Sequence, residues 1–163
     1  MVDTKPNINS CTSDDQALFA MITEIFNAKI PFNKVLGLAV AAISYERVEI
    51  VFDMRDELIG NYMRGTLHGG VISSVIDVTG GLAAFMGLQR RMVDKNLEAK
   101  LARFGRLGTI DLRVDYLRPG LGRSFVCSGY TLRTGSKVAV TRIELNNDRQ
   151  DLIAVGTGSY IVA

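Results

Sequence analysis

Three observations predict an α+β fold in which one antiparallel β-sheet wraps around a long central helix. Residues 69–88 form an apolar run of helical length whose one charged residue between Gly70 and Leu88 is Asp77. Two strand-like segments precede this run and four follow it, several with the alternation of a half-buried strand. At 163 residues, the chain has the size of one domain with a sound core.

The elements follow in order. Residues 1–12 read as a flexible tail and 13–163 as a single domain. Ser13, with Gln16 three residues on, makes a capping-box pattern. Ala17, Leu18, Met21, Ile22, Ile25 and Phe26 then give a first helix one apolar face, closed before Pro31. Phe32–Gly37 reads as a connector containing a turn. Leu38–Ile43 and Arg47–Met54 read as strands, and Arg55–Gly65 as a loop containing Asn61.

In the central run, Val71, Ile72, Val75, Ile76, Leu82, Ala83, Phe85 and Met86 cover almost the whole circumference. That pattern predicts a helix buried on all sides. Asp77 is then a buried carboxylate with no structural reason to be there, and a functional candidate. Gln89–Gly108 carries Arg90, Arg91, Lys95, Lys100, Arg103 and Arg106 against Asp94 and Glu98. Leu97, Leu101, Phe104 and Leu107 repeat there at helical spacing, so part of it is an amphipathic helix. Its basic face is either solvated or a site for anionic groups or a lipid surface.

Thr109–Leu117, Ser124–Arg133, Lys137–Asn146 and Leu152–Val162 read as strands. Ile110, Leu112, Val114 and Tyr116 alternate with Asp111, Arg113 and Asp115, which gives the first strand one buried face. The turns at Arg118-Pro119-Gly120, Thr134-Gly135-Ser136 and Asn146-Asn147-Asp148 are short enough for a meander. Gly156-Thr157-Gly158 lies inside the last strand, where glycines serve close packing.

Composition narrows the function. A net charge of +2 gives no basis for binding nucleic acid. Cys11 and Cys127 match no metal or redox spacing and read as free thiols of a reducing cytoplasm. No G-x-S-x-G, P-loop, complete G-x-G-x-x-G or paired metal-ligand spacing is present. The polar start, Met1 to Asn7, has no apolar leader segment. Residues 69–88 are long enough to span a bilayer. However, Asp77 near the centre costs roughly 2.5–3.5 kcal/mol there, and five glycines dilute the run. The expectation is the core helix of a soluble, cytoplasmic protein without stable membrane insertion.

The first turn of the central helix supplies chemistry. Helix N-termini carry free N–H groups and a partial positive charge. Gly69 and Gly70 leave those amides open to approach, so they can polarise a carbonyl and stabilise an oxyanion. A carboxylate such as Asp77 acts as a general base on water or as a nucleophile. The same residues also allow plainer roles, with His68 as a helix cap and Asp77 as a structural hydrogen-bonder. Eight residues separate Gly69 from Asp77, roughly 12 Å along a helix. One carbonyl cannot meet both within a chain, so a real site requires two subunits and a two-fold dimer.

Asn61, the run Leu67-His68-Gly69-Gly70 and Asp77 resemble the active-site helix of the hotdog-fold acyl-CoA thioesterases. Thr109 through Gly120 resembles the strand and Arg-Pro-Gly turn that follow it. The similarity covers residues 35–162 and is greatest to the PaaI-like group and the YigI-like medium/long-chain group. It implies a hydrolase that converts acyl-CoA and water to a free acid and CoA, with no metal or other cofactor. Gly69 would polarise the thioester carbonyl, assisted by His68 and beside Gly70. Asp77 of the partner subunit would be base or nucleophile, and Thr109 would position the water. Asn61 would line the site, although it stands one residue further from the histidine than in those relatives. Arg118, Arg123, Arg133 and Lys137 lie near turns, where they either meet the phosphates of CoA or are solvent-facing charge. The resemblance also implies a homodimer with interfacial sites, assembled into a homotetramer. The alternatives are a 3-hydroxyacyl thioester dehydratase with His68 as base, and an acyl-CoA-binding protein without turnover.

Overall fold

The computed structural model describes residues 12–92 and 94–163. Residues 1–11 of the expected tail, Cys11 among them, lie outside the described residues. Thr12, rather than Ser13, caps the first helix, α1 (Ser13–Glu24). The Asp15 N–H donates to Thr12 Oγ1 at 3.2 Å and the Thr12 N–H to Asp15 Oδ2 at 3.0 Å, a reciprocal capping box. A π-helical turn, Ile25–Lys29, follows.

The first helical segment ends before Pro31 as expected, with Ile30 extended at φ −88° and ψ 111°, and Pro31 then opens a second helix. In α2 (Pro31–Leu36) it occupies the first turn, where its missing N–H is not needed, and Gly37 ends the helix at φ +71°. The expected connector is therefore helical.

Strands β1 (Ala39–Ile43) and β2 (Val48–Asp53) lead to a small hairpin, β3 (Ile59–Asn61) with β4 (Thr66–Leu67). The central helix α3 spans Gly69–Gln89. After it come α4 (Leu97–Ala102), a 3-10 turn at Arg103–Arg106, and strands β5 (Gly108–Tyr116), β6 (Ser124–Thr134), β7 (Val138–Asn147) and β8 (Leu152–Ile161).

The large sheet is antiparallel throughout, in the order β1-β2-β6-β7-β8-β5. The last four strands thus form no simple meander. β6 to β8 are sequential, but β5 pairs with β8 at the far edge. The link after β5 does not turn back on it. The Leu117 and Arg118 N–H groups both donate to Ile153 O, and the Leu67 N–H donates to Gly120 O, which ties the crossing segment to β8 and to the hairpin.

The sheet curls around α3. Ile72, Val75, Ile76, Leu82, Phe85 and Met86 join Ile50, Phe52, Phe125, Cys127, Ile143 and Leu145 in one core. On its other side, Phe104 stacks edge-on against Phe85 and Phe26, so the π-helical turn after α1 and the segment after α4 close the core there. The amphipathic spacing of Leu97, Leu101 and Phe104 serves this contact.

α3 is not enclosed along its whole length. Every residue from Thr79 to Gln89 is buried, whereas Val71, Ser73, Ser74, Asp77 and Val78 are half-exposed. Among the described residues no strand follows β5 at its edge, so the sheet stops short of that flank. Asp77 lies on the open flank rather than in the core.

Candidate active site

Asp77 meets β5 through Thr109. The Thr109 hydroxyl donates to Asp77 Oδ1 at 2.9 Å. A β-bulge at Ile110 makes this contact possible, because the β5–β8 register shifts between Thr109 and Asp111. The extra residue rotates Thr109 onto the helix-facing side and turns Ile110 out, where it is 56% exposed. The expected alternation holds for Leu112 and Val114, which pack on the core, but not for Ile110.

A second hydroxyl reaches the same residue. Tyr160 OH donates to the Asp77 main-chain carbonyl at 3.1 Å. Burial, with Asp77 adding to it, pushes the Tyr160 phenol well above its usual range, so it stays a proton donor.

Beside the pair lies a cavity of about 200 Å³. Phe26, Ile30, Phe32, Phe104 and Leu107 give it an apolar wall, and Asp77 and Thr109 stand on its lining. Asn33, which is buried, donates from Nδ2 to Phe26 O at 3.0 Å and thereby ties α2 to the end of the first helical segment. The basic 89–108 segment therefore contributes a cavity wall through its apolar side.

The N-terminus of α3 forms a second cluster. His68 is its cap, with Nδ1 accepting from the Gly70 N–H at 2.8 Å. The expectation that Gly69 and Gly70 both offer free amides is thus half met. The Gly70 donor is taken, and the Gly69 N–H has no acceptor among the described residues. An accepting Nδ1 leaves the proton of a neutral His68 on Nε2, directed away from the helix. Tyr116 OH donates to Gly69 O at 3.1 Å and holds this turn to the end of β5. A cleft of about 400 Å³ lined by Phe32, Leu36, Ile59, His68, Gly70 and Ser74 opens here, so Phe32 borders both cavities.

Other expected site residues are more scattered. Asn61 is exposed and organises the β3–β4 turn, its Oδ1 accepting from the Met63 N–H at 3.1 Å. No hydrogen bond joins it to Asp77 or Thr109 among the described residues. Arg118 donates to Leu152 O, and Arg123 pairs with Asp148 at 3.5 Å, both near the α3 N-terminus end of the sheet. Arg133 and Lys137 are exposed around the β6–β7 turn at the opposite end, where Thr134 meets Arg91 and Gly87. A single chain does not bring these four cations together.

Sequence reasoning passed over Tyr116, Tyr160, Asn33 and the apolar wall from the π-helical turn and α2. A tyrosine at the last inward position of β5 was the available signal for Tyr116. Nothing in the sequence joins α2 to Asp77.

Comparisons with known proteins identify the family. Residues 64–154 match the family described as the Thioesterase superfamily. The medium/long-chain acyl-CoA thioesterase YigI of Escherichia coli is 40% identical over 148 residues, 91% of this chain and 95% of the relative. A thioesterase-superfamily-related protein from Shewanella oneidensis superposes with a TM-score of 0.88 at 43% identity, covering 91% of this chain and 97% of that one. A candidate thioesterase from Syntrophus aciditrophicus gives 0.84 at 60% identity, covering 93% and 100%. With its sheet wrapped around the Gly69–Gln89 helix, the chain belongs to the thioesterase superfamily and has the hotdog fold.

Proposed function

We propose that the protein hydrolyses medium- to long-chain acyl-CoA to free acid and CoA, at sites shared between two subunits. The observation that carries this reading is the Asp77–Thr109 pair, which opens on an apolar cavity at an unpaired sheet edge. Eight residues away along the same helix, roughly 12 Å, stands the free Gly69 amide.

The edge strand suggests how the two halves meet. Thr109 and Asp77 lie at the start of β5, and Tyr116 and Gly69 at its end. Antiparallel pairing of β5 with its copy brings the start of one strand beside the end of the other. Each Asp77 then faces the first turn of the partner's helix. Such pairing also removes an open edge, which folded proteins seldom leave bare.

In the assembled site, the Gly69 N–H donates to the thioester carbonyl, and His68 Nε2–H approaches from the same turn. Asp77 takes a proton from water as the water oxygen bonds to the carbonyl carbon. The tetrahedral oxyanion rests on the Gly69 amide and the helix dipole. Its collapse breaks the C–S bond, and the proton on Asp77 passes to the leaving thiolate. Thr109 occupies Oδ1 and leaves Oδ2 for the water. No metal or further cofactor enters.

The cavity volume is about 200 Å³, roughly seven times the volume per molecule in liquid water, and a methylene is of similar size. A medium-length acyl chain fills it, and a longer one continues toward solvent past Phe32. A buried free Cys127 accords with a reducing, cytoplasmic setting.

The test is thiol release from acetyl-, hexanoyl-, decanoyl-, palmitoyl- and phenylacetyl-CoA by wild type and Asp77→Asn. Turnover that peaks at one chain length and disappears in the variant supports the reading. Binding of these thioesters without thiol release replaces it with a binding protein.

A further inference from the structure

Asp77 is held at two points by residues that face each other across one strand ladder. Thr109 and Tyr160 are cross-strand partners in β5 and β8. Thr109 donates to the carboxylate at 2.9 Å and Tyr160 to the main-chain carbonyl of the same residue at 3.1 Å. The first contact aims the side chain, and the second fixes the helix turn from which it springs.

The second contact depends on glycines. Tyr160 is 1% exposed, and its ring lies between α3 and β8. A Cβ on Gly80 would lie 2.2 Å from the Tyr160 hydroxyl oxygen, and one on Gly158 would lie 2.6 Å from it. Neither leaves room for an alanine unless the ring moves. Gly158 of the Gly156-Thr157-Gly158 stretch thus has a specific task, admitting the Tyr160 ring to the helix.

We propose that Tyr160 is a positioning residue for hydrolysis: its hydroxyl fixes the Asp77 main chain against β8 and thereby keeps the carboxylate at Thr109. The proposal rests on the catalytic reading of Asp77 given above. It separates Tyr160 from the apolar residues of the cavity, which on that reading contact the acyl group alone.

Tyr160→Phe keeps the ring between the glycines and removes the hydroxyl alone. The expected result with decanoyl-CoA is a kcat lowered about tenfold with KM within about twofold of wild type, the signature of a displaced catalytic group. Combined with Thr109→Val, the loss should be smaller than the product of the single losses, since both act through Asp77. A folded Tyr160→Phe enzyme with wild-type kcat overturns the proposal, as does a raised KM at unchanged kcat, which marks a cavity wall.

Amide hydrogen exchange gives a readout without turnover. The Gly81 amide, one helical turn beyond Asp77, should exchange faster in Tyr160→Phe, and unchanged exchange overturns the proposal. If Asp77→Asn keeps full activity, the catalytic reading of Asp77 fails while this exchange result still decides whether Tyr160 clamps the helix.

Discussion

Thr109 Oγ1 donates to Asp77 Oδ1 at 2.9 Å across the gap between the open edge of the sheet and the central helix. The bond occupies one carboxylate oxygen and limits rotation about the Asp77 side chain, so the other oxygen has a defined direction for a water molecule. A general base works through such placement as much as through its basicity.

Thr109→Val removes this hydroxyl while keeping the branched shape. Thr109 is exposed in the single chain, so the folded state should lose no more than about 0.5 kcal/mol. The expected kcat falls roughly 10- to 100-fold with KM little changed, and Asp77→Asn loses about 10²- to 10⁴-fold. Steady-state thiol release measures both. A fully active Thr109→Val enzyme would remove Thr109 from the mechanism.

Much of the fold was legible because hydrophobic period survives in the sequence. The run 69–88 has helical length and only Asp77 for charge, and it became α3 with a shift of one residue at its end. All six expected strands occur, with ends displaced by a residue or so. Their order was less legible, since a short link such as Arg118-Pro119-Gly120 fixes no neighbour, and β5 crossed to the far edge. Pro31 closed the first helical segment as expected, but the connector after it is helical, because proline both ends helices and begins them and only the chain beyond it decides.

Of the candidate site, Asp77 and Thr109 were legible as residues, but neither their orientation nor the tyrosines around them was. Strict alternation puts Thr109 on the face opposite Leu112, and the bulge at Ile110 reverses that. A bulge depends on pairing with a distant strand, so local sequence did not announce it. The half-exposure of Asp77 has the same origin. Apolar residues surround the helix, but among the described residues the sheet ends at β5 and leaves the flank that carries Asp77 without a strand over it.

That open flank leads to a prediction about the first turn. Gly69→Pro replaces the amide hydrogen with a ring carbon, and a Cβ there meets the Tyr116 ring at an ordinary 3.6 Å. Proline is well accepted at the first helical position, and the His68 backbone, at φ −64° and ψ 136°, already has the extended form that precedes proline. The variant should fold and be inactive. Asp77→Asn should also be inactive. Mixed dimers of the two contain one site with both lesions and one with neither. Equal mixing after reversible dissociation gives about half heterodimers by the isologous symmetry, hence about one quarter of wild-type activity. If the mixture stays inactive while native mass spectrometry shows heterodimers, each site lies within one chain.

Phe104 lines the cavity and rests edge-on against Phe26 at 5.8 Å and Phe85 at 5.6 Å. Phe104→Ala removes a ring from the wall and lengthens the space available to an acyl chain. The expected outcome is an optimum shifted toward longer acyl-CoA, with kcat/KM for the former best substrate reduced. Loss of the ring contacts should cost about 2–3 kcal/mol, at or below the usual range for core aromatics because the residue is only half-buried. Kinetics on the acyl-CoA series and urea denaturation give the two readings. An unchanged optimum would place the acyl chain elsewhere, along the cleft beside His68.

Alkaline pH should destabilise the fold through two buried acids in its core. Burial pushes the Cys127 thiol from 9.0 up to about 12, and burial also raises the Tyr160 phenol. In the unfolded chain the thiol loses its proton as pH passes 9, while the folded protein keeps it. The unfolded state then binds fewer protons, so stability falls with rising pH, by about 1.4 kcal/mol per unit for each proton involved. Tyr160 steepens the decline above the ordinary phenol range. Cys127→Ala removes the first contribution, at some cost in packing at neutral pH. Urea unfolding at pH 7.5 and pH 10 should therefore show a smaller loss in Cys127→Ala than in wild type, by about 1 kcal/mol. Equal losses in both proteins would mean that Cys127 ionises without unfolding, through a local opening of the α3–β6 contact.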